Sequence, residues 1–177
     1  MKIAIYIAIS ANGMISNARN VPDWLSQEYG EGLVEICHDK KAVIMGKTTY
    51  NILAPDYLPL KDEGTTIVLT SKTEEKPANK TVVFTKQSPA EIITLLEERE
   101  HKEAVIIGGT QTISEFFNQG LVDEVLLVME PVFFGKGLPL FGEAEFESRL
   151  KLKNWTKINP NSIQLHYEVL KQNYEKE

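Results

Sequence analysis

Short apolar runs rich in β-branched residues recur along this chain, and most are followed directly by a glycine or by hydroxyl-bearing residues. The runs are residues 3–9, 42–45, 66–69, 82–84, 104–107 and 125–129. A continuous apolar run of this length is typical of a strand buried on both faces of a sheet, usually among parallel neighbours. Such a sheet must be covered on both sides, and the cover has to come from the segments between the runs.

The segments between the runs have the residue spacing of amphipathic helices. Their apolar faces are formed by Leu25, Tyr29, Leu33 and Ile36, by Ile92, Ile93, Leu95 and Leu96, and by Ile113, Phe116 and Phe117. Ser88 to Glu91 form a capping box with proline at the first helical position, and Gly120 closes the third helix. Residues 48–53 predict one further, shorter helix. This alternation predicts an α/β fold with a mixed, mainly parallel sheet flanked by helices.

The end of the chain has a different pattern. Residues 150–158 and 163–170 flank Asn159-Pro160-Asn161-Ser162, a strong turn signal, and the second run alternates apolar and polar residues. We therefore predict a C-terminal antiparallel hairpin at one edge of the sheet. Residues 1–171 are expected to form a single domain, and residues 172–177 a frayed tail.

Composition excludes several classes of protein. The 177 residues carry a formal net charge of −6, which does not favour binding to nucleic acid, and they include one cysteine, Cys37. A disulfide within the chain is therefore impossible, and no apolar stretch has the length needed to cross a bilayer. The histidines lack the spacing of metal ligands, so no metal site is expected. We expect a cytoplasmic protein without a membrane partner.

Candidate ligand-binding residues follow the predicted strands. Gly108 and Gly109 lead from a strand into a helix, whose unpaired N–H groups suit a phosphate. Gly46 to Thr49 and Thr70 to Lys72 also follow strands and offer hydroxyls and a cation. Taken singly, the Gly108-Gly109 segment is as consistent with an ordinary turn as with a phosphate site, the Gly46 segment favours an ordinary surface turn, and the Thr70 segment is a weak signal. The carboxyl ends of parallel strands share one edge, so together they predict a ligand site there.

These segments resemble the dihydrofolate-reductase superfamily, and within it the reductase domain of bacterial riboflavin biosynthesis. The matching motifs are Ala8-x-Ser10-x-Asn12-Gly13-x-Ile15, Met45-Gly46-Lys47-Thr48-Thr49-Tyr50, Leu69-Thr70-Ser71, Gly108-Gly109-Thr110-Gln111, Val122-Asp123-Glu124, and Pro131-Val132-Phe133-Phe134-Gly135-Lys136-Gly137-x-Pro139-Leu140-Phe141. They occur in the family's order and span nearly the whole chain.

The resemblance implies a dihydrofolate-reductase-like fold and NADPH as hydride donor. Ala8 and Ile15 would contact the nicotinamide, and the residues implied for the pyrophosphate are Gly46, Lys47, Thr48, Gly108, Gly109, Thr110 and Gln111. Thr70, Ser71 and Lys72 would meet the adenosine ribose and its phosphate, and a cation at Lys72 would favour NADPH over NADH.

The substrate side departs from the family pattern. Dihydrofolate reductases carry a carboxylate on the first helix, near Gly30 by spacing, where Glu28 and Glu31 are close but do not align. Riboflavin reductases place arginines near this helix, whereas this chain has only Arg19, in the entry loop. Ser16, Asp23 and Trp24 are the candidates for substrate contacts. The catalytic group is not assigned, and Ser10, Asn12, Glu28 and Glu31 are its candidates.

Different functions remain open at this point. The resemblance implies an NADPH-dependent reductase of a small heterocycle, foremost one acting like 5-amino-6-(5-phosphoribosylamino)uracil reductase. A dihydrofolate or pterin reductase is an alternative, as is a non-catalytic nucleotide-binding protein on the same fold. A structural dimer module is a third possibility. A homodimer is plausible from the family and from the edge of the terminal hairpin.

Overall fold

The structure, a computed structural model, describes residues 1–53, 57–60, 63–74, 76–77 and 79–171. The strands are β1 (Lys2–Ser10), β2 (Met14–Asn17), β3 (Ala42–Gly46), β4 (Thr65–Leu69), β5 (Val82–Thr85), β6 (Glu103–Ile106), β7 (Glu124–Glu130), β8 (Gly137–Pro139), β9 (Arg149–Lys157) and β10 (Ile163–Leu170). The helices are α1 (Gln27–Lys40), α2 (Lys47–Leu53), α3 (Pro89–Glu98) and α4 (Thr110–Asn118). The tail predicted to fray, residues 172–177, lies outside the described residues.

In the described part of the chain, the main sheet has the strand order β5-β4-β3-β6-β1-β7-β10-β9. Neighbours from β5 to β7 are parallel, and β10 pairs antiparallel with both β7 and β9. This arrangement confirms the α/β class, the mixed and mainly parallel sheet, and the C-terminal hairpin. A small antiparallel sheet of β2 and β8 was not predicted, because both strands are short and β8 ends in a proline.

Both faces of the central strand are buried, as its apolar run predicts. Ile3, Ile5 and Ile7 pack in one cluster with the apolar faces of α3 and α4. Tyr6 and Ala8 point to the opposite face, into a cluster with residues of α1 and α2. Two buried layers therefore cover the sheet, and its strand ends remain as the open edge.

The helix boundaries follow local capping chemistry. The apolar spacing began at Leu25, but α1 begins at Gln27, because Ser26 accepts a hydrogen bond from the backbone N–H of Tyr29 as N-cap. The predicted capping box of Ser88 and Glu91 is confirmed at α3. Gly120, with φ of 64°, follows α4 as expected. Among the described residues, no helix has the length and apolarity that crossing a membrane requires.

Candidate functional site

A groove of about 1570 Å³ runs along the carboxyl ends of the parallel strands. It receives residues from the ends of β1, β3, β4 and β6, from the segment after β5, from the first turns of α2 and α4, and from one face of α1. Ligands of open α/β sheets bind at this edge. The groove is therefore the candidate ligand-binding site.

The middle of the groove exposes backbone of β1. This strand pairs with β6 only as far as Ile5, but it continues alongside β7 to Ser10. No strand of the described residues pairs with the β6 side of β1 beyond Ile5, where Ile7 and Ala8 line the groove. Ile15, from β2, lines it as well. The backbone of Ala8 hydrogen-bonds the phenol of Tyr29, so a planar amide ligand at this strand edge would lie beside Tyr29.

Two turns rich in glycine meet beside this backbone. The N–H of Gly46 donates to the carbonyl of Gly108 at 2.9 Å, so the ends of β3 and β6 are held together. The Gly108–Gly109 peptide bond is cis. Gly109 is the N-cap of α4 and has no side chain to cap it, so the first N–H groups of the helix face the groove without that partner. Positive partial charge therefore gathers where Thr110 and Gln111 line the groove.

The outer end of the groove lies between the ends of β4 and β5. Thr70 and Ser71 line it, and the N–H of Thr70 donates to the carbonyl of Thr85 at 2.9 Å. Lys86 follows Thr85 and also lines the groove, whereas Lys72 lies outside the lining. Lys86 was not among the residues predicted from the sequence, although it closely follows the apolar run at residues 82–84, as the other candidate residues follow their strands.

The other predicted cofactor residues also line the groove. Gly46, Lys47 and Thr48 lie at the start of α2, and Gly108 and Gly109 lie opposite them. The ammonium group of Lys47 lies 4.2 Å from the centre of the Phe84 ring and 5.0 Å from that of Tyr50. Cation–π attraction therefore directs Lys47 toward the β5 side of the groove.

The opposite half of the groove is largely apolar. Its lining includes Trp24, Leu25, Leu33, Val34, Ile52, Leu53, Tyr57, Leu58 and Pro59. Polar side chains in this half include Ser16, Asn20, His38 and Glu63. Trp24 packs edge-on against Phe134, with ring centres 5.2 Å apart, which fixes one wall.

Tyr29 joins the two halves at the floor of the groove. It is buried, it lines the groove, and its ring stacks on Tyr6 with centres 5.2 Å apart. Burial is the main cause that raises the pKa of the Tyr29 phenol, and the nearby Tyr6 raises it further. Tyr29 therefore stays neutral over the physiological range. Sequence reasoning used it only as a core residue, because its spacing matched the apolar face of α1.

Of the three residues predicted to contact the substrate, two line the groove and one does not. Ser16 and Trp24 line the groove, but Asp23 does not. The carboxylate of Asp23 pairs with Arg19 at 2.6 Å and accepts a hydrogen bond from Asn17 at 3.1 Å. Asp23 and Arg19 therefore shape the entry loop.

The candidate catalytic residues lie outside the groove lining. Ser10 donates to the side chain of Asn12 at 2.8 Å, and Asn12 in turn donates to the carbonyl of Phe134. These two side chains brace the loop after β1. Glu28 accepts a hydrogen bond from Asn159, Glu31 accepts one from Gln27, and both glutamates are exposed.

A buried carboxylate that the sequence analysis did not single out lies behind α1. Glu130, at the end of β7, is 1% exposed. It accepts hydrogen bonds from the backbone N–H and hydroxyl of Ser26 and from the hydroxyl of Ser162. In the sequence, the position of Glu130 directly after the apolar run at residues 125–129 was the one feature that could have pointed to it. Among the described residues, no group of three or more His, Cys, Asp or Glu side chains could hold a metal ion.

Comparison with known proteins agrees with this architecture. The sequence profile described as RibD C-terminal domain matches residues 1–163. The chain is 31% identical over 172 residues to the uncharacterized protein YwjB of Bacillus subtilis, covering 94% of this chain and 97% of that protein.

Solved structures show the same fold. A putative riboflavin biosynthesis protein from Shewanella sp. PV-4 superimposes with a TM-score of 0.81 at 23% identity, covering 97% of this chain and 100% of that one. The diaminohydroxyphosphoribosylaminopyrimidine deaminase/5-amino-6-(5-phosphoribosylamino)uracil reductase of Thermotoga maritima gives a TM-score of 0.76 at 20% identity. That match covers 96% of this chain and 56% of the other. This chain belongs to the RibD C-terminal domain family and has its dihydrofolate-reductase-like fold.

Proposed function

We propose that this chain is an NADPH-dependent reductase of a small heterocyclic substrate. The observation that carries the proposal is the continuity of the groove. One half has the glycine turns and helix start that suit a dinucleotide, and it opens directly into a pocket with apolar walls. A hydride donor and a flat acceptor can thus lie side by side against apolar walls.

The glycine turns of the groove have the space that a dinucleotide would need. A Cβ atom at Gly109 would meet only the Thr49 hydroxyl, at 3.7 Å, so the described residues leave the space above this glycine to a ligand. The turns at Gly46 and Gly109 would hold the pyrophosphate, together with Lys47, Thr48, Thr110 and Gln111. Ala8 and Ile15 would hold the nicotinamide. When bound, NADPH supplies the hydride.

The preference for NADPH over NADH would come from the outer end of the groove. Thr70 and Ser71 would hydrogen-bond the ribose phosphate there. Of the two lysines in this region, Lys86 lines the groove and Lys72 does not. We therefore propose Lys86 as the main cation for the phosphate, in place of the role that the resemblance implied for Lys72.

The heterocycle would occupy the half lined by Trp24 and Ser16. The Thermotoga maritima protein is described as a reductase of 5-amino-6-(5-phosphoribosylamino)uracil, so pyrimidines of this class are the first to test. Pterin reduction has less support, because Glu28 and Glu31 lie outside the groove. Neither can therefore serve as the first-helix carboxylate that contacts the pterin in dihydrofolate reductases. A buried Cys37 fits the cytoplasmic location that we propose.

The direct test is an NADPH-oxidation assay with a panel of aminopyrimidines, pteridines and their ribosylated forms. We expect NADPH consumption that saturates with at least one of these compounds and matches the product formed. Saturable NADPH binding with no turnover across the panel would favour a non-catalytic nucleotide-binding protein. Absence of NADPH binding at millimolar concentration, measured by calorimetry, would overturn both.

A further inference from the structure

We infer that the substrate half of the groove takes a neutral aromatic ring compound that carries no phosphate group. This inference rests on the proposed function, and it concerns the substrate class of the same site. It is carried by three features of the lining: its apolar walls, the position of its cations, and the charge around the start of α1.

Apolar side chains at the mouth of this half are exposed to an unusual degree. Val34 is 46% exposed, Ile52 is 39% exposed and Tyr57 is 75% exposed, and all three line the groove. Exposing large apolar side chains around a cavity costs free energy unless a ligand covers them. A flat apolar ring between them would bury this surface.

The cations of the described lining lie in the other half. They are Lys47, whose ammonium group lies over the Phe84 ring of β5, and Lys86, which follows β5. Arg19 of the entry loop lies outside the lining and is paired with Asp23 at 2.6 Å. A phosphate bound in the substrate half would therefore be desolvated with no lysine or arginine among the described lining residues of that half, which is unfavourable.

The N-terminus of α1 is also unsuited to bind a phosphate in place of a lysine or arginine. A helix N-terminus can bind phosphate through its free N–H groups, but here Ser26 already caps the helix. The carboxylate of Glu130 accepts from Ser26 at 2.6 Å, which places an acidic group against this terminus. Glu63 also lines the groove, but its carboxylate is paired with the ammonium group of Lys41 at 3.2 Å, so the two charges largely offset each other. The buried carboxylate of Glu130 therefore opposes the approach of a phosphate to the start of α1.

Matched ligand pairs test the inference. Calorimetry on the protein loaded with NADP⁺ would compare 5-amino-6-(ribosylamino)uracil with its 5′-phosphate, and riboflavin with its 5′-phosphate. We expect the uncharged member of at least one pair to bind at least tenfold more tightly, as roughly 1.4 kcal/mol corresponds to a factor of ten. Equal or tighter binding of the phosphorylated members would overturn the inference, and so would failure of both neutral rings to bind at millimolar concentration.

A charge variant provides the second arm. Val34→Arg adds a cation at the groove mouth, and Gln27→Arg adds the same charge to α1 outside the lining. We expect Val34→Arg to improve binding of the phosphorylated members about tenfold and Gln27→Arg to leave it within twofold. No gain with Val34→Arg, or an equal gain with both, would contradict the assignment of the mouth.

Cofactor binding separates this inference from the proposed function. Calorimetric titration with NADPH alone is done on the unmodified protein and on both arginine variants. If NADPH does not bind the unmodified protein, the proposed function fails. If NADPH binds all three proteins and the phosphorylated ligands are preferred by the unmodified one, only the inference about the substrate fails.

Discussion

The carboxylate of Glu130 accepts hydrogen bonds of 2.6 Å and 3.0 Å from the hydroxyl and the backbone N–H of Ser26. Glu130 ends β7, and Ser26 begins α1, whose residues Tyr29 and Leu33 line the groove. The other carboxylate oxygen accepts from the hydroxyl of Ser162 in the turn between β9 and β10, at 2.6 Å. One buried side chain thus fixes the start of α1 relative to two parts of the sheet.

Replacing Glu130 with alanine is expected to lower the free energy of unfolding by about 3 kcal/mol or more, because it removes charged hydrogen bonds and leaves buried hydroxyls without them. Urea denaturation followed by circular dichroism measures this change. Ser162→Ala removes only one of the bonds to this buried carboxylate and should cost roughly 2 kcal/mol. Equal losses for the two variants would show that Glu130 does not organise this cluster.

Cofactor preference is expected to depend on Lys86 more than on Lys72. Both lysines follow strands at the outer end of the groove, but only Lys86 lines it. Lys86→Ala should raise the Kd for NADPH about tenfold and leave the Kd for NADH nearly unchanged, because the second nucleotide lacks the phosphate that the cation meets.

Lys72→Ala is the matched control, since it removes the same charge from an exposed neighbouring position. We expect its effect on NADPH binding to stay within about twofold, as for a screened surface charge. Calorimetry with both nucleotides measures the four dissociation constants. A larger effect of Lys72→Ala than of Lys86→Ala would return the role to Lys72.

The phosphate position can be tested at Gly109. Its φ of −96° is open to any residue, and an added Cβ atom would meet only Thr49, at 3.7 Å. Gly109→Val should therefore fold, with an unfolding midpoint close to that of the unmodified protein, while its side chain blocks the dinucleotide and weakens NADPH binding at least a hundredfold. Normal NADPH affinity in a folded Gly109→Val protein would mean that the pyrophosphate lies elsewhere.

The strand-end residues of the groove were predictable from the sequence because local chemistry determines them. An apolar run, a glycine and a polar segment recur at Gly46 and Gly108, and a parallel sheet brings such ends together. The open backbone at Ala8 was not predictable from local residue patterns, because it depends on where β6 stops pairing with β1. The role of Glu130 was not predictable either, because its hydrogen-bond partners come from positions distant in the sequence.

One face of the terminal hairpin, where Tyr167 and Val169 pack against the core but Leu152 and Trp155 stay exposed, leads to a prediction about assembly. In the observed register Leu150, Leu152 and Trp155 lie opposite Val169, Tyr167 and Leu165, and a bulge between the pairs of His166 and Tyr167 keeps all of them on one face. Leu152 is 49% exposed and Trp155 is 61% exposed, on a strand that is the edge of the main sheet. An apolar patch beside a strand edge that no other described strand pairs with favours association with a second copy.

We therefore expect a homodimer that buries this face, and Trp155→Glu should convert it to a monomer at micromolar concentration, because a charge would be buried at the contact. Size-exclusion chromatography with light scattering gives the mass of each form. Tyr57→Glu introduces the same charge at another exposed aromatic residue, 75% exposed at the groove mouth, and should leave the mass unchanged. A monomeric unmodified protein, or a dimer that withstands Trp155→Glu, would contradict this assignment of the hairpin face.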